Sequence, residues 1–296
     1  MKHFLKLSSC FAFAMLFGQL QAQMLSPSVF SEPQNHLLFH AEFQKQNRIK
    51  VVNGTFSQKR VNERIKSLPG KLEITFDSSG RLTSLEEIKS LGGRMDTSFT
   101  QWNYVNNSTY SIFKADALSY ICTIYREKGD TILETAYRTP ALPTSTEELT
   151  EQDLFWSYEE MCIIEKKDPK RVELFHNSIG LPYMRRTTSF NDLGYVTEIE
   201  ERLLVTDKVK SIRFSYNDKG QIIERRKYKG KENSETTLFD YSSSGNLLFW
   251  DNYKKDILSK HHEVLYDSNG LVEAIILKHL ATERIEIVQY SYEFYP

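Results

Sequence analysis

The chain has 296 residues, 38 basic and 39 acidic, a formal charge of −1, and 12% aromatic residues, with 16 Tyr and 18 Phe. This balance excludes the basic surplus of a nucleic-acid binder and the acidic run of a disordered tail. The aromatic richness favours strands over helices.

Residues 1–22 read as a secretory signal peptide. Lys2 and Lys6 supply the positive start, Cys10 to Phe17 the apolar run, and Ala22 a cleavage point before Gln23. The run is too short to cross a bilayer as a helix, and no later stretch is long and apolar enough, so no transmembrane span is expected. Leu7-Ser8-Ser9-Cys10 has the look of a lipobox, but the apolar run lies after the cysteine, which disfavours lipid anchoring at Cys10. The expectation is export to the periplasm, the outer surface or the medium.

Residues 23–138 form a degenerate β-repeat region. Asn53-Gly54 is a tight-turn signal. Phe76-Asp-Ser-Ser-Gly80 introduces a phrase that returns later: an aromatic, three mostly polar residues, a glycine, then an apolar residue two places on. Weaker copies follow at Tyr104-Val-Asn-Asn-Ser108 and Tyr125-Arg-Glu-Lys-Gly129. Residues 139–170 break the pattern. Pro140 and Pro143 mark a connector, and Ser145 with Glu148 fits a capping box, so a helix is expected over 146–160.

Residues 171–296 carry the phrase at its clearest: Phe190-Asn-Asp-Leu-Gly194, Tyr216-Asn-Asp-Lys-Gly220, Tyr241-Ser-Ser-Ser-Gly245 and Tyr266-Asp-Ser-Asn-Gly270, with Tyr292 opening one more. A near-constant period of this size marks a repeat architecture. Each unit holds two strands and two turns, so successive hairpins make an antiparallel meander. Glycine supplies a positive φ, and the Asn, Asp or Ser before it favours the bend. The aromatics Phe190, Tyr216, Tyr241, Tyr266 and Tyr292 then form a ladder across the sheet. Strict alternation puts apolar residues on both faces of the later strands: Leu247 and Phe249 against Leu248 and Trp250, Leu271 and Ile275 against Val272 and Ile276. A flat layer would expose one set. The fold class is therefore all-β, a hairpin-repeat meander that is strongly bent or split into two packed sheet regions, with one short helical insertion.

The phrase resembles the YD repeats of RHS-type proteins, whose units carry an aromatic, an Asp or Asn, and a glycine closing a hairpin. Only Tyr266-Asp267 reproduces the dipeptide itself at a repeat. The resemblance implies a β-sheet repeat in a secreted or cell-surface setting. It does not imply the toxin encapsulation of the large arrays.

The sequence contains no phosphate loop, nucleophile elbow, His-Glu-x-x-His or Cys-x-x-Cys. No cofactor and no metal are expected. Cys122 and Cys162 are compatible with a disulfide or with two buried thiols. Trp102 with Tyr104, and Trp250 with Tyr253, are candidate ligand platforms, with core packing the competing role. The expected function is non-enzymatic: a binding or structural module at the bacterial cell envelope, toward envelope polysaccharide or a surface protein. Assembly through exposed sheet edges is the second reading, and a carbohydrate-active hydrolase the third.

Overall fold

The computed structural model describes residues 24–25, 27, 39–91, 94–105, 108–115, 120–138 and 155–296. The expected signal peptide lies outside them. One helix, α1 (Ala41–Gln46), precedes eighteen strands. These are β1 (Ile49–Arg60), β2 (Lys66–Phe76), β3 (Leu82–Leu91), β4 (Arg94–Val105), β5 (Ser108–Ala115), β6 (Tyr120–Lys128), β7 (Thr131–Arg138), β8 (Phe155–Lys167) and β9 (Lys170–His176). The second half continues with β10 (Pro182–Phe190), β11 (Val196–Leu203), β12 (Val209–Tyr216), β13 (Ile222–Lys229), β14 (Glu232–Tyr241), β15 (Leu247–Lys254), β16 (Ile257–Tyr266), β17 (Val272–His279) and β18 (Arg284–Phe294).

Every strand pairs antiparallel with its neighbours in sequence, and β1 pairs with β18 from Ile49↔Phe294 to Arg60↔Arg284. The meander therefore closes into an eighteen-stranded barrel. Of the two expected arrangements, the strongly bent single sheet is the one observed. Closure leaves no strand edge among the described residues, so assembly by edge pairing loses its physical basis.

Two expectations are corrected here. Residues 155–160 are the first half of β8, not helix, and β8 pairs with β7 and β9 through the expected connector. The residues 146–154 of that expected helix lie outside the described set. Pairing of Phe155–Ile163 with β7 outweighs start signals that lie upstream. Asn53-Gly54 sits inside β1, not in a turn. A Cβ on Gly54 would lie 3.0 Å from Leu72 Cβ and 3.2 Å from Val288 Cγ1, so the glycine makes room for packing.

The repeat phrase forms one recurrent turn. Asp77, Asn177, Asn191, Asn217 and Asp267 each accept backbone N–H bonds from the second and fourth residues after them, through one side-chain oxygen. Ser242 makes the second of these bonds. The backbone N–H of each closing glycine returns to the carbonyl at the start of its turn. Asn177–Gly180 is thus a further copy, displaced by one strand to the opposite end of the barrel. The turn of the copy at Ser108 includes residues 106–107, outside the described set, and Gly129 begins a two-residue turn of another shape.

After each such turn at the glycine-rich end, the register slips by one residue, at Phe76/Leu82, Phe190/Val196, Tyr216/Ile222, Tyr241/Leu247 and Tyr266/Val272. A bulge of this kind reverses the facing of everything beyond it. Leu247 and Trp250 consequently share one face, as do Val272 and Ile275, and all four are fully or almost fully buried. The tyrosines of the phrase complete the bulges. Tyr104, Tyr216, Tyr241 and Tyr266 donate their hydroxyls to the carbonyls of Leu82, Val196, Ile222 and Leu247 at 2.6–2.8 Å, and Tyr292 donates to Val272. Where the phrase has Phe76, Tyr295 supplies the hydroxyl to the Phe76 carbonyl.

The main core lies on one face of the sheet, running from Val196 and Phe214 through Phe239, Trp250, Val264, Ile275 and Val288 to Phe56, Ile74 and Leu85. In a closed barrel this single cluster marks the inner face. Met24, Leu25 and Phe39 join it, and α1 packs against the β2–β3 turn, so these N-terminal residues cover part of the glycine-turn end.

Candidate functional site

The two ends of the barrel differ in chemistry. The glycine-turn end has seven described turns, and their exposed large apolar side chains are Leu193 and Tyr195. The opposite end has six fully described turns. Five of them expose Val61 and Ile65, Ile179 and Leu181, Val205, Ile257, and Leu280, with Val205 86% and Ile179 74% accessible. Phe155 and Trp156, at the start of β8, continue the ring.

Charge follows the same division. In the six turns of that opposite end and the residue flanking each side stand nine exposed cations: Arg60, Arg64, Lys66, Lys208, Lys229, Lys231, Lys254, Lys255 and Arg284. Five acids accompany them: Glu63, Asp207, Glu232, Asp256 and Glu283. These six described turns therefore carry net +4. Apolar side chains interleaved with lysine and arginine make this described part of the rim amphipathic and cationic.

The outer wall is unlike a lipid-facing one. Its mid-strand positions carry cross-strand ion pairs: Arg213 with Glu198 at 2.8 Å, Lys278 with Glu263 at 3.1 Å, and Lys71 with Glu86. A membrane-spanning barrel presents an outward apolar band there. No helix among the described residues is long and apolar enough to cross a membrane.

Inside the barrel, side-chain chemistry changes in steps across β16, β17, β18 and β1. One row of directly paired residues is apolar: Val264, Ile275, Val288 and Phe56. The next is mixed: His262, Leu277, Glu286 and Gln58. The last, nearest the rim, is polar: Lys260, His279, Arg284 and Arg60. A cavity of about 360 Å³ opens along these rows, walled by Phe56, Leu68, Ile275, Leu277 and Val288, with Lys89, Arg284 and Glu286 at its polar side. A second space of about 380 Å³ adjoins it at Arg284 and includes Arg60 and Lys66.

The candidate platforms fare differently. Trp250 is wholly buried and stacks on His262, centroids 4.2 Å apart, so it is core. Tyr253, three residues along an extended strand, faces away from it. The two therefore form no joint surface. Trp102 packs against the main core, and Tyr104 is tied to Leu82 with the Arg81 guanidinium 4.6 Å above its ring. Phe76, Gly80, Phe190, Gly194, Tyr216, Gly220, Tyr241, Gly245, Tyr266, Gly270 and Tyr292 all serve the turns and ladder described above.

Cys122 and Cys162 are free and buried. Cys122 pairs with Tyr137, and Cys162 with Ile132, five residues away on the same intervening strand β7. Two strand spacings of about 4.8 Å and that axial offset put them far beyond disulfide reach. Burial pushes both thiols up, Cys162 to about 11 with a further push from Glu173.

Sequence reading missed the opposed carboxylates Glu134 and Glu160, which receive Tyr158 and Tyr183 hydroxyls at 3.2 and 2.8 Å. Burial raises the Glu134 carboxyl, opposed by the Tyr158 hydrogen bond. Only the pairing of β7 with β8 brings these two together, and no spacing in the sequence signals it. Among the described residues no group of three or more His, Cys, Asp or Glu is placed to hold a metal.

No family model matches the chain, and no curated protein does. Among solved structures, a porin-like protein from Bacteroides uniformis is 10% identical at a TM-score of 0.42, covering 83% of this chain and 98% of its own. A porin-like protein from Bacteroides vulgatus is 14% identical at 0.26, covering 81% and 97%. The Photorhabdus luminescens Tc holotoxin pore is 8% identical at 0.30, covering 82% of this chain and 18% of its own. At TM-scores below 0.5 none of the three fixes a shared topology with this barrel.

Proposed function

We propose that the chain is a non-enzymatic binding module of the bacterial cell envelope that sits on an anionic lipid surface through the rim opposite its glycine turns. The observation that carries this reading is the described part of the rim: Val61, Ile65, Val205, Ile257 and Leu280 stand exposed among nine cations, while the large apolar side chains exposed in the seven described turns of the other end are Leu193 and Tyr195. Exposed apolar side chains can enter the headgroup region while neighbouring Lys and Arg meet lipid phosphates, each basic residue adding about 1 kcal/mol near an anionic surface. The wall, with its ion pairs, stays in water. The YD-like phrase and the signal-peptide pattern support a setting outside the cytoplasm for such a protein.

Vesicle flotation of the mature protein tests this. It should float with vesicles containing a quarter phosphatidylglycerol, weakly with neutral phosphatidylcholine, and less at high salt. Val205→Ser with Ile257→Ser should abolish flotation without changing the fold. No flotation on anionic vesicles, or equal flotation of that variant, removes the reading. Retention on envelope polysaccharide or on a protein instead would assign the rim to another partner.

A further inference from the structure

The lumenal cavity lies beyond the docking surface and has its own chemistry. Its floor is a continuous apolar wall: Phe56, Leu68, Ile275, Leu277 and Val288. Its volume of about 360 Å³ falls in the range of small-molecule pockets, roughly 300–1,000 Å³. The floor ends at a mouth where Arg60 and Arg284 stand directly opposite each other across the β1–β18 pair. Like charges directly opposed in a sheet are destabilising. Glu286 bonds Arg284 at 3.1 Å, and also His279 at 3.1 Å, so one carboxylate is shared between two partners. Glu63 is engaged by Lys66 at 3.3 Å. Lining the two adjoining spaces are five cations, Lys59, Arg60, Lys66, Lys89 and Arg284, against the two acids Glu63 and Glu286.

We infer that this cavity binds a single-chain amphipathic anion, with its hydrocarbon tail against Phe56, Leu68, Ile275, Leu277 and Val288 and its carboxylate or phosphate head between Arg60 and Arg284. The tail removes apolar wall from water. The head adds negative charge to a mouth where Glu286 is shared between Arg284 and His279, through charge-assisted bonds that suit planar arginine groups. A neutral amphipath would fill the floor and leave the arginine pair as it is. A cationic one would meet a net positive mouth.

Calorimetric titration without vesicles tests the site. Laurate, kept below its micellar concentration, should bind one per chain, and dodecanol about tenfold or more weaker, a factor of ten being 1.4 kcal/mol. Arg60→Gln with Arg284→Gln should lower laurate affinity about tenfold and leave dodecanol unchanged, with circular dichroism confirming the fold. Dodecyl phosphate should behave as laurate does. Equal binding of laurate and dodecanol, an arginine variant that binds laurate like the parent, or no saturable binding would overturn the inference. The source of the ligand is read separately, by native mass spectrometry after incubation with laurate or with anionic vesicles. Because the rim variant Val205→Ser/Ile257→Ser keeps the cavity, its laurate binding should be intact even where flotation fails. Failure of the cavity and failure of the docking surface are thus distinguishable.

Discussion

His262 shows how one residue reports on the barrel interior. It lies against Trp250 on the inner face, and burial, with Lys260 adding to it, holds its imidazole down to about 3. An unfolded histidine titrates near 6.5, so between those values the unfolded chain binds the extra proton and stability rises with pH. The contribution is complete above pH 6.5 and is lost as pH falls toward 3. Denaturation at pH 7.5 and pH 5.0 should show roughly 2 kcal/mol of loss from this residue, and His262→Leu should remove that part of the difference. A second residue-scale expectation concerns the ladder. Tyr266→Phe leaves the Leu247 carbonyl without its donor, at a cost of about 1–2 kcal/mol in a urea titration, whereas Tyr253→Phe should cost almost nothing. The aromatic at each repeat was legible in the sequence as a structural ladder. Its hydroxyl chemistry was not, because the acceptor carbonyl exists only once the bulge has formed.

At the scale of elements, turns of one backbone shape do different work according to what meets them. Gly80 and Gly194 have φ of +78° and +79°. A Cβ on Gly194 would meet nothing within 4 Å, but on Gly80 it would sit 2.0 Å from the Ala41 carbonyl oxygen and 2.8 Å from Lys45 N. Gly194→Ala therefore carries only the backbone strain, about 1 kcal/mol. Gly80→Ala carries the same strain and also expels α1. Hydrogen exchange should show Gln44 and Asn47 amides losing protection in the Gly80 variant alone, with the larger fall in melting temperature. The strands and turns of 171–296 were legible because period-two alternation and the glycine phrase agree there. Facing was not: alternation paired Leu247 with Phe249, and the bulge at Leu248 paired Leu247 with Trp250 instead. The helix expected over 146–160 failed over its described part because capping signals say where a helix can begin, not whether a neighbouring strand will claim the residues. The rim was hidden for a related reason, since Val61, Val205 and Ile257 lie far apart in sequence and meet only at one end of the barrel.

Closure is the property that belongs to the whole molecule. Each hairpin is local, and nothing in a 25-residue repeat fixes how many are needed for the last strand to reach the first. The β1–β18 ladder does so through register from Ile49 to Arg60, and the cavity depends on it, since Arg60 and Arg284, and Phe56 and Val288, meet across that seam. Thr55 and Gln289 are directly paired there, and both side chains are exposed on the outer face. Thr55→Cys with Gln289→Cys should form a disulfide on mild oxidation, seen as faster migration on a non-reducing gel and confirmed by peptide mapping. The readout is clean because Cys122 and Cys162 are buried, too far apart to bridge, and held as thiols by burial, so they should remain alkylatable only after unfolding. Joining residues so distant in sequence should stabilise by up to about 5 kcal/mol in the chain-entropy model. A barrel open at this seam would give neither the cross-link nor the stabilisation. It would also leave the two halves of the proposed ligand mouth on separate edges, and laurate binding should then be lost together with the β1–β18 pairing.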